Sequence, residues 1–414
     1  MVVLTWKLTA VQVLALAGFG LVLGIWLKRK FPGLDRLNIP ASVIGGLIYA
    51  LATMALRDRY LNLEMDLVLR DILMVAFFTT VGMSASLSLV KLGGKQVLWF
   101  LGVSVAGLLM QNLLGLVAAK AMGLNPLIGL LAGSVSLTGG PATALAFGGT
   151  FEKMGVSSAT AIGIASAIFG IVSGGLLGGY VGGSLLGANR LAVPPNKPAG
   201  SLAKAEQAVY SKDPPEEIVP RMSEESASEH SSLLTNIIVL VLAMGLGTLV
   251  SRWLEQAGMI LPSYIGAMIC AGLIRNLDDF TGLFKISQHR MDEIGSISLD
   301  LFIVMALLTL RLWEMVHLAA PVLVILGLQI LLVLLLCRFL VYRVMGRDYP
   351  AAVMSAGYCG FMLGTTANSM ACMGEMVSKF GPAPRAFFVV SIVGAFLIDF
   401  INALVITQAA TLLQ

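Results

Sequence analysis

Long apolar runs alternate with short polar or charged stretches along the whole chain. The first run, residues 8–27, is long enough at ~1.5 Å per residue to cross a hydrocarbon layer of ~30 Å. Runs of similar character recur on both sides of the middle of the chain. The predicted helical spans are residues 8–27, 40–56, 71–90, 97–120, 157–187, 233–250, 261–275, 295–310, 316–345 and 385–413. This pattern predicts an all-α polytopic membrane protein.

A polar segment in the middle interrupts the apolar pattern. In residues 188–232, six prolines are mixed with Lys, Glu and Ser, a composition typical of a solvated linker. We therefore predict an N-terminal membrane repeat over residues 1–187, a linker over 188–232, and a C-terminal membrane repeat over 233–414.

One further apolar stretch in each half is rich in glycine and small polar residues. These stretches, about 126–149 and about 350–374, fit poorly as plain lipid-facing helices. Irregular backbone at membrane depth is tolerated where protein or a water-filled cavity surrounds it. We predict a re-entrant hairpin in each stretch.

The two halves resemble each other at an offset of about 222 to 226 residues. Pro40-Ala-Ser-Val-Ile-Gly corresponds to Pro262-Ser-Tyr-Ile-Gly, Gly133 corresponds to Gly357, and Gly140 corresponds to Gly364. Because each copy holds five predicted spans, an odd number, the second copy must insert upside down relative to the first. The sequence therefore predicts two inverted-topology repeats, an architecture that secondary transporters use.

Composition and charge support a membrane location and an orientation. The mean hydropathy is +0.89 and 57% of residues are hydrophobic, so the apolar surface requires lipid. With both termini outside, 19 of the 27 Lys and Arg residues fall on the cytoplasmic side and 8 outside. We expect an inner-membrane protein with periplasmic termini and a cytoplasmic linker. The basic residues form no stripe, so nucleic acid is not an expected partner.

The glycine-rich stretches carry the candidate binding residues. Glycine permits unwinding, helix N-termini at such breaks attract carboxylates, and freed carbonyl and hydroxyl oxygens suit Na+. The predicted substrate-binding residues here are Thr138, Gly139, Gly140, Pro141, Thr143, Tyr358, Gly364, Thr365, Thr366, Asn368 and Ser369. The alternative is that these small residues only permit close helix packing.

Polar residues inside apolar spans are the remaining candidates. Asp399 is costly at membrane depth, and Asn402 follows it on the same helical face. We predict a Na+ site at Asp399, Asn402 and Gly360, with a hydrogen-bonded structural pair as the alternative. Gln111 and Asn112 are also predicted to bind substrate, although adjacent residues point to different faces, so we expect one of them at most to line the site.

At these residues the sequence resembles the bacterial sodium:glutamate symporter family over nearly the whole chain. The stretches that carry the resemblance are residues 42–46, 69–78, 110–112, 129–134, 305–307, 312–314, 356–361 and 394–406. The resemblance implies two inverted five-helix domains, each with a re-entrant loop. It also implies sodium-driven uptake of L-glutamate or a similar small anionic amino acid by a homodimer with elevator-like alternation of access. Na+ would be the coupling ion, and the chain would not be an enzyme.

The chain departs from the family pattern in both loops. The family typically has His where Pro141 stands and often has His where Tyr358 stands. Two alternatives therefore stay open. One is a sodium- or proton-coupled carrier of a different small organic anion or amino acid, and the other is a transporter-like receptor or scaffold that signals through the linker.

Overall fold

The computed structural model describes residues 4–37, 39–57, 60–189, 224–256, 263–310 and 318–413, and these are mostly helical. The helices of the first half are α1 Ala10–Lys30, α2 Pro32–Arg36, α3 Ala41–Leu56, α4 Val68–Ser84, α5 Leu87–Ala121, α6 Pro126–Leu130, α7 Gly140–Lys153 and α8 Ala159–Asn189. Those of the second half are α9 Glu224–Gln256, α10 Ser263–Thr281, α11 Gln288–Leu308, α12 Ala319–Val344, α13 Tyr349–Met362, α14 Thr366–Phe380 and α15 Pro384–Leu412.

Within the described residues, six helices are long and apolar enough to cross a membrane. They are α1, the part of α5 from Gly94 onward, α8, the Leu233–Trp253 part of α9, α12 and α15. The other predicted spans also form helices, but α3 and α4 are shorter, at 16 and 17 residues, and α10 and α11 are more polar. The prediction of an all-α membrane protein with multiple spans is confirmed at this level.

The structure differs from the sequence prediction at four places. Two short strands, β1 Leu4–Leu8 and β2 Leu61–Met65, pair in parallel, so the chain is not purely helical. The third predicted span ends at Ser84 because the chain turns there before α5 begins. Gly94 has non-helical torsions and breaks α5. Residues 224–232, predicted as linker, belong to α9, while residues 190–223 of that linker lie outside the described part of the chain.

The helices pack into two groups. In the first, which we call the frame bundle, α1 packs on α3 and α11, and α10 packs on α4 and α9. In the second, the core bundle, α8 packs on α7, α13 and α14, while α5 packs on α6, α12 and α15. The largest cluster of buried apolar side chains belongs mainly to the core bundle.

Within the described part of the chain, three π-helical turns widen helices of the core bundle. They follow α6 at Leu131–Val135, interrupt α12 at Cys337–Val341 and interrupt α15 at Ile392–Leu397. Such turns are frequent at functional sites because they redirect the side chains that follow. The third turn directly precedes Asp399.

Candidate functional site

The first broken segment of the core bundle runs from α6 to α7. Its π-helical turn contains Gly133, whose torsions (φ −100°, ψ −132°) are not helical. The chain then makes tight turns through Thr138, and α7 begins at Gly140 with φ +65°. Pro141 stands in the first turn of α7, where a missing N–H costs no helical bond. The predicted break is therefore present, and it leaves a helix N-terminus at Gly140.

The second broken segment runs from α13 to α14, and its break is short. Helix α13 continues through Gly357 and Gly360 to Met362, and α14 begins at Thr366 after an extended Thr365 (φ −136°, ψ 169°). The unwinding that the sequence predicts for this glycine-rich stretch is therefore confined to residues 363–365, and Gly357 and Gly360 are helical. A Cβ on Gly360 would lie 2.7 Å from the Ser369 backbone nitrogen, so this glycine permits close packing of α13 on α14.

The two breaks meet. A Cβ placed on Gly140 would lie 3.1 Å from Thr365 Cγ2 and 3.6 Å from the Gly364 carbonyl oxygen. The N-termini of α7 and α14 therefore lie next to each other, although their residues are more than 220 positions apart in sequence. Unpaired N–H groups and the positive end of the helix dipole make each N-terminus favourable for an anion. Their convergence makes this point a candidate carboxylate-binding site.

Gln111 of α5 ties the two breaks together. Its Oε1 accepts a hydrogen bond from Thr138 Oγ1 at 2.6 Å, and its Nε2 donates to the Met362 carbonyl at 2.9 Å. The backbone oxygen of Gln111 accepts from Gln329 Nε2 at 2.7 Å. All of these side chains are buried. A single amide side chain therefore bridges both broken segments.

Asn112 and Asn402 hold the first broken segment from two sides. Asn112 Oδ1 accepts from the Ser134 amide at 3.2 Å, and Asn402 Nδ2 donates to the Ser134 carbonyl at 3.0 Å. Gln111 and Asn112 therefore both contact the first segment, and the expectation that at most one of them lines a substrate site stays a prediction.

Several buried oxygens around the breaks have no hydrogen-bond partner among the described residues. Their side chains come from both broken segments and from α15. They are Ser134 Oγ, Ser136 Oγ, Asn368 Oδ1, Ser369 Oγ and Asn402 Oδ1. Buried polar groups in folded proteins are normally paired, so unpaired hard oxygens on both broken segments and on α15 are candidate cation ligands.

The remaining predicted residues have individual partners. Thr366 Oγ1 donates to the Gly394 carbonyl at 2.8 Å, and Asn368 Nδ2 donates to the Ile171 carbonyl at 2.6 Å. Thr143 is buried one turn inside α7, beside Gly139. Asp399 is half-buried and lies one turn before Asn402 on α15.

Tyr358 is not brought to the point where the breaks meet. Its ring packs edge-on against Phe361 at 5.3 Å between centroids and against Phe100 at 6.0 Å. Its hydroxyl donates to the Val103 carbonyl at 3.4 Å on the α5 side. The structure therefore gives Tyr358 a packing contact between α13 and α5.

A cavity of about 730 Å³ opens between the two bundles. Arg70 and Asp71 of α4 line it, together with Glu152 and Lys153 at the end of α7. Arg70 and Asp71 are paired at 2.7 Å. Leu145 is the α7 residue of the cavity wall nearest to Gly140 in sequence, five residues, or about 7.5 Å at ~1.5 Å per residue, from it.

Tyr264 of α10 also lines this cavity and was not predicted from the sequence. Its ring stacks on Phe78 at 4.2 Å and meets Phe147 edge-on at 5.7 Å, yet its buried hydroxyl has no partner among the described residues. Ser134, Ser136 and Gln329 were missed as well. A lone Tyr, Ser or Gln in an apolar run carries no pattern, so only the fold reveals these residues.

Comparison with known proteins supports the resemblance seen in the sequence. A family model described as sodium/glutamate symporter matches residues 6–382. A sodium/glutamate symporter of Escherichia coli K12 is 36% identical over 401 residues, covering 96% of each chain. One of Haemophilus influenzae strain Rd is 34% identical over 404 residues, covering 97% of this chain and 96% of that protein. The similarity therefore extends over both bundles.

Proposed function

Because this chain belongs to the sodium/glutamate symporter family, we propose that it is a secondary transporter that couples Na+ entry to uptake of L-glutamate or a similar small anionic amino acid. The family consists of transporters, so the expectation that the chain is not an enzyme is confirmed. The observation that carries the proposal is the meeting of two helix N-termini at Gly140 and Thr365.

The substrate site of the proposal is this meeting point. One carboxylate of the substrate accepts hydrogen bonds from the amides at the start of α7 and α14, and the Thr365 hydroxyl adds a donor at the same place. Thr138 is held by Gln111 and so fixes the tip of the first segment rather than binding freely. Glutamate also carries a second carboxylate. Arg70 and Lys153, which line the cavity, supply positive charges that attract it as the substrate passes through the cavity to the site.

The Na+ site of the proposal uses the unpaired oxygens. Asn402 Oδ1 and Ser134 Oγ belong to residues that are already joined by the hydrogen bond from Asn402 Nδ2 to the Ser134 carbonyl. Asp399 supplies the negative charge one turn away on the same face of α15. Gly360 lies in the last turn of α13, whose carbonyls have no intrahelical partner and whose negative dipole end favours a cation.

The architecture of the proposal is a pair of inverted repeats with re-entrant hairpins. The packing pattern supports it, because the contact of α3 with α11 has its counterpart in the contact of α10 with α4. The contact of α1 with α11 likewise corresponds to that of α9 with α4. If α1, α3 and α4 of the first half are exchanged with α9, α10 and α11 of the second half, these contacts of the frame bundle stay the same, as an inverted repeat requires.

Alternating access in the proposal is movement of the core bundle against the frame bundle in a homodimer. The large cavity lies where the end of α7 faces the start of α4, and the charge bias of the sequence assigns that side to the periplasm. Both termini are then periplasmic and the linker is cytoplasmic. Coupling requires that Na+ binds one position of the core bundle more tightly than the other, since equal affinity for both positions would leave their populations unchanged.

The test is uptake of labelled glutamate into proteoliposomes over a range of external Na+ concentrations, with wild-type protein and with Asp399→Asn. We expect the variant to need at least 10-fold more Na+ for half-maximal uptake, because it removes the only charge of the proposed ion site. Asp300→Asn, which removes a half-buried carboxylate of α11 outside the proposed ion site, is the matched control for the loss of a charge. An unchanged Na+ dependence in Asp399→Asn would show that the ion assignment is wrong.

The same vesicles decide between the proposed substrate and the alternatives. Unlabelled acidic, neutral and basic amino acids compete with labelled glutamate at fixed Na+ and at several pH values. We expect L-glutamate and its close analogues to compete best and a Na+ gradient, not a pH gradient, to drive accumulation. Strong competition by a different anion, or accumulation driven by pH alone, would replace the proposed substrate or coupling ion.

A further inference from the structure

The end of α12 carries a basic pocket that is lined by none of the residues of the proposed transport site. The pocket has a volume of about 280 Å³ and is lined by Leu185, Arg338, Phe339, Tyr342, Arg343 and Arg347. Among the described residues that line it, none is acidic. Three guanidinium groups around one pocket repel each other unless an anion joins them.

The backbone around the pocket is built to bring these arginines together. Arg338 and Arg343 are five residues apart, a spacing that separates two side chains on an ordinary α-helix. Here the π-helical turn Cys337–Val341 lies between them, and the Tyr342 amide donates to the Cys337 carbonyl in the i→i+5 pattern. The wider turn rotates the two arginines toward the same side.

Arg347 is held in an unfavourable backbone conformation. Its φ is +56°, in the left-handed region that side-chain-bearing residues rarely adopt. Two hydrogen bonds to Tyr342 maintain it: the Arg347 amide donates to the Tyr342 carbonyl at 3.0 Å, and the Tyr342 hydroxyl donates to the Arg347 carbonyl at 3.0 Å. Strain of this kind clusters at ligand-binding positions.

The nearby carboxylate is already engaged elsewhere. Asp348 follows Arg347 directly, but its Oδ2 accepts from Arg385 Nη1 at 3.0 Å and its Oδ1 caps α13 through the Ala351 amide at 2.8 Å. Arg343 lies over the Phe339 ring at 5.5 Å, which orients it without neutralising it. Among the described residues, no carboxylate therefore neutralises the three arginines of the pocket.

An apolar stripe leads along α12 to the pocket. Leu328, Leu331, Leu335 and Phe339 are exposed at helical spacing, with Leu331 53% and Phe339 50% exposed. In a membrane-spanning helix such a face contacts acyl chains. A phospholipid that packs its chains on this stripe would place its headgroup at Arg338, Arg343 and Arg347.

We propose that this pocket binds the phosphate of an anionic phospholipid in the leaflet where α12 ends. Guanidinium groups bind phosphate oxygens in bidentate fashion, and basic pockets between membrane helices bind anionic headgroups. The occupant is a lipid rather than free phosphate because the apolar stripe and the arginines are continuous. The site stands independently of the proposed transport function, since it uses none of the residues assigned to substrate or Na+.

The test measures lipid binding to the full-length purified protein. Delipidated protein in detergent is titrated with phosphatidylglycerol and, separately, with phosphatidylcholine, and bound lipids are counted by native mass spectrometry. The variant Arg338→Gln/Arg343→Gln/Arg347→Asn removes the three charges, and Asn tolerates the left-handed conformation at position 347. The control Lys28→Gln/Arg29→Gln/Lys30→Gln removes the same charge at the end of α1, outside the pocket.

We expect wild-type protein to prefer phosphatidylglycerol and the pocket variant to lose about 100-fold in affinity for it, as three lost arginine contacts imply. The control variant should stay within about 3-fold of wild type. Equal losses in both variants, no loss in the pocket variant, or displacement of the lipid by millimolar inorganic phosphate would each overturn the proposal. Equal elution volumes on size exclusion verify that both variants are folded.

Discussion

Substitution of Gly140 by alanine tests whether the contact between the two breaks matters for transport. The residue has φ +65°, so an L side chain costs about 1–2 kcal/mol there from backbone strain alone. The new Cβ would also lie 3.1 Å from Thr365 Cγ2, well inside the ~3.5–4.0 Å optimum for two carbons. Overpacking of this kind typically costs about 1–3 kcal/mol more.

Gly123 supplies the control. Its φ is +70°, but a Cβ on it would meet no atom within 4 Å. Gly123→Ala therefore carries the backbone cost without the contact, and we expect it to lower stability by about 1–2 kcal/mol while uptake per folded molecule stays near wild type. Gly140→Ala should lower stability by about 2–5 kcal/mol, the sum of the two costs, and reduce uptake about 10-fold or more, since relief of the contact separates the two helix N-termini.

A second substitution at Thr365 distinguishes the contact from the backbone. Thr365→Ser deletes the Cγ2 atom that the new methyl would meet and keeps the hydroxyl. We expect Gly140→Ala/Thr365→Ser to recover most of the lost uptake, so that the two changes are strongly non-additive. The assay is initial uptake of labelled glutamate in proteoliposomes, normalised to folded protein. Wild-type uptake by Gly140→Ala, or additive losses in the double variant, would refute the assigned role of the contact.

Two further predictions concern residues that the fold brings to the site. Gln111→Ala should lower the free energy of unfolding by about 2–4 kcal/mol, because the Thr138 hydroxyl and the Met362 carbonyl lose their buried partner. The control Gln408→Ala, on the exposed side of α15, should change it by less than about 0.5 kcal/mol. Thermal unfolding in detergent measures both variants, and an unchanged stability of Gln111→Ala would contradict the bridging role of Gln111. Tyr264→Phe should leave the free energy of unfolding unchanged or slightly raised, since the Tyr264 hydroxyl has no partner among the described residues. The same variant should raise the KM for glutamate if that hydroxyl contacts substrate in the cavity. A decrease of more than about 1 kcal/mol in the free energy of unfolding would mean that the hydroxyl has a structural partner.

The sequence predicted the elements better than their contacts. Each predicted span lies on a helix, because backbone in lipid must pair its polar groups internally and few other structures do so, but α5, α9 and α11 begin seven to ten residues earlier than predicted. The breaks at Gly140 and Gly364 followed from glycine beside small polar residues. The strand pair β1–β2 was not predicted from the sequence, because Leu4–Leu8 and Leu61–Met65 are short and pair across the first helical hairpin of the chain.

The partners within the site could not be read from the sequence. Asn402 was a candidate because it shares a face with Asp399, but nothing in the sequence indicates that it holds Ser134 of the first segment. Gly360 was expected to mark an unwound backbone and instead permits close packing on Ser369, since glycine serves both purposes equally well. Which purpose applies depends on the neighbouring helix, and that information is not local.

Protection of a cysteine placed beside the meeting breaks shows directly whether glutamate and Na+ bind there. Ala367 is exposed in the first turn of α14, two residues after Thr365, and Ala367→Cys is labelled with a membrane-impermeant thiol reagent in proteoliposomes. A single Cys at Gly149, on the cavity wall, reports on general access. We predict that glutamate slows labelling at position 367 when Na+ is present and has no effect when K+ replaces it. Labelling that is insensitive to glutamate and Na+ together would contradict the claim that both bind where Gly140 meets Thr365.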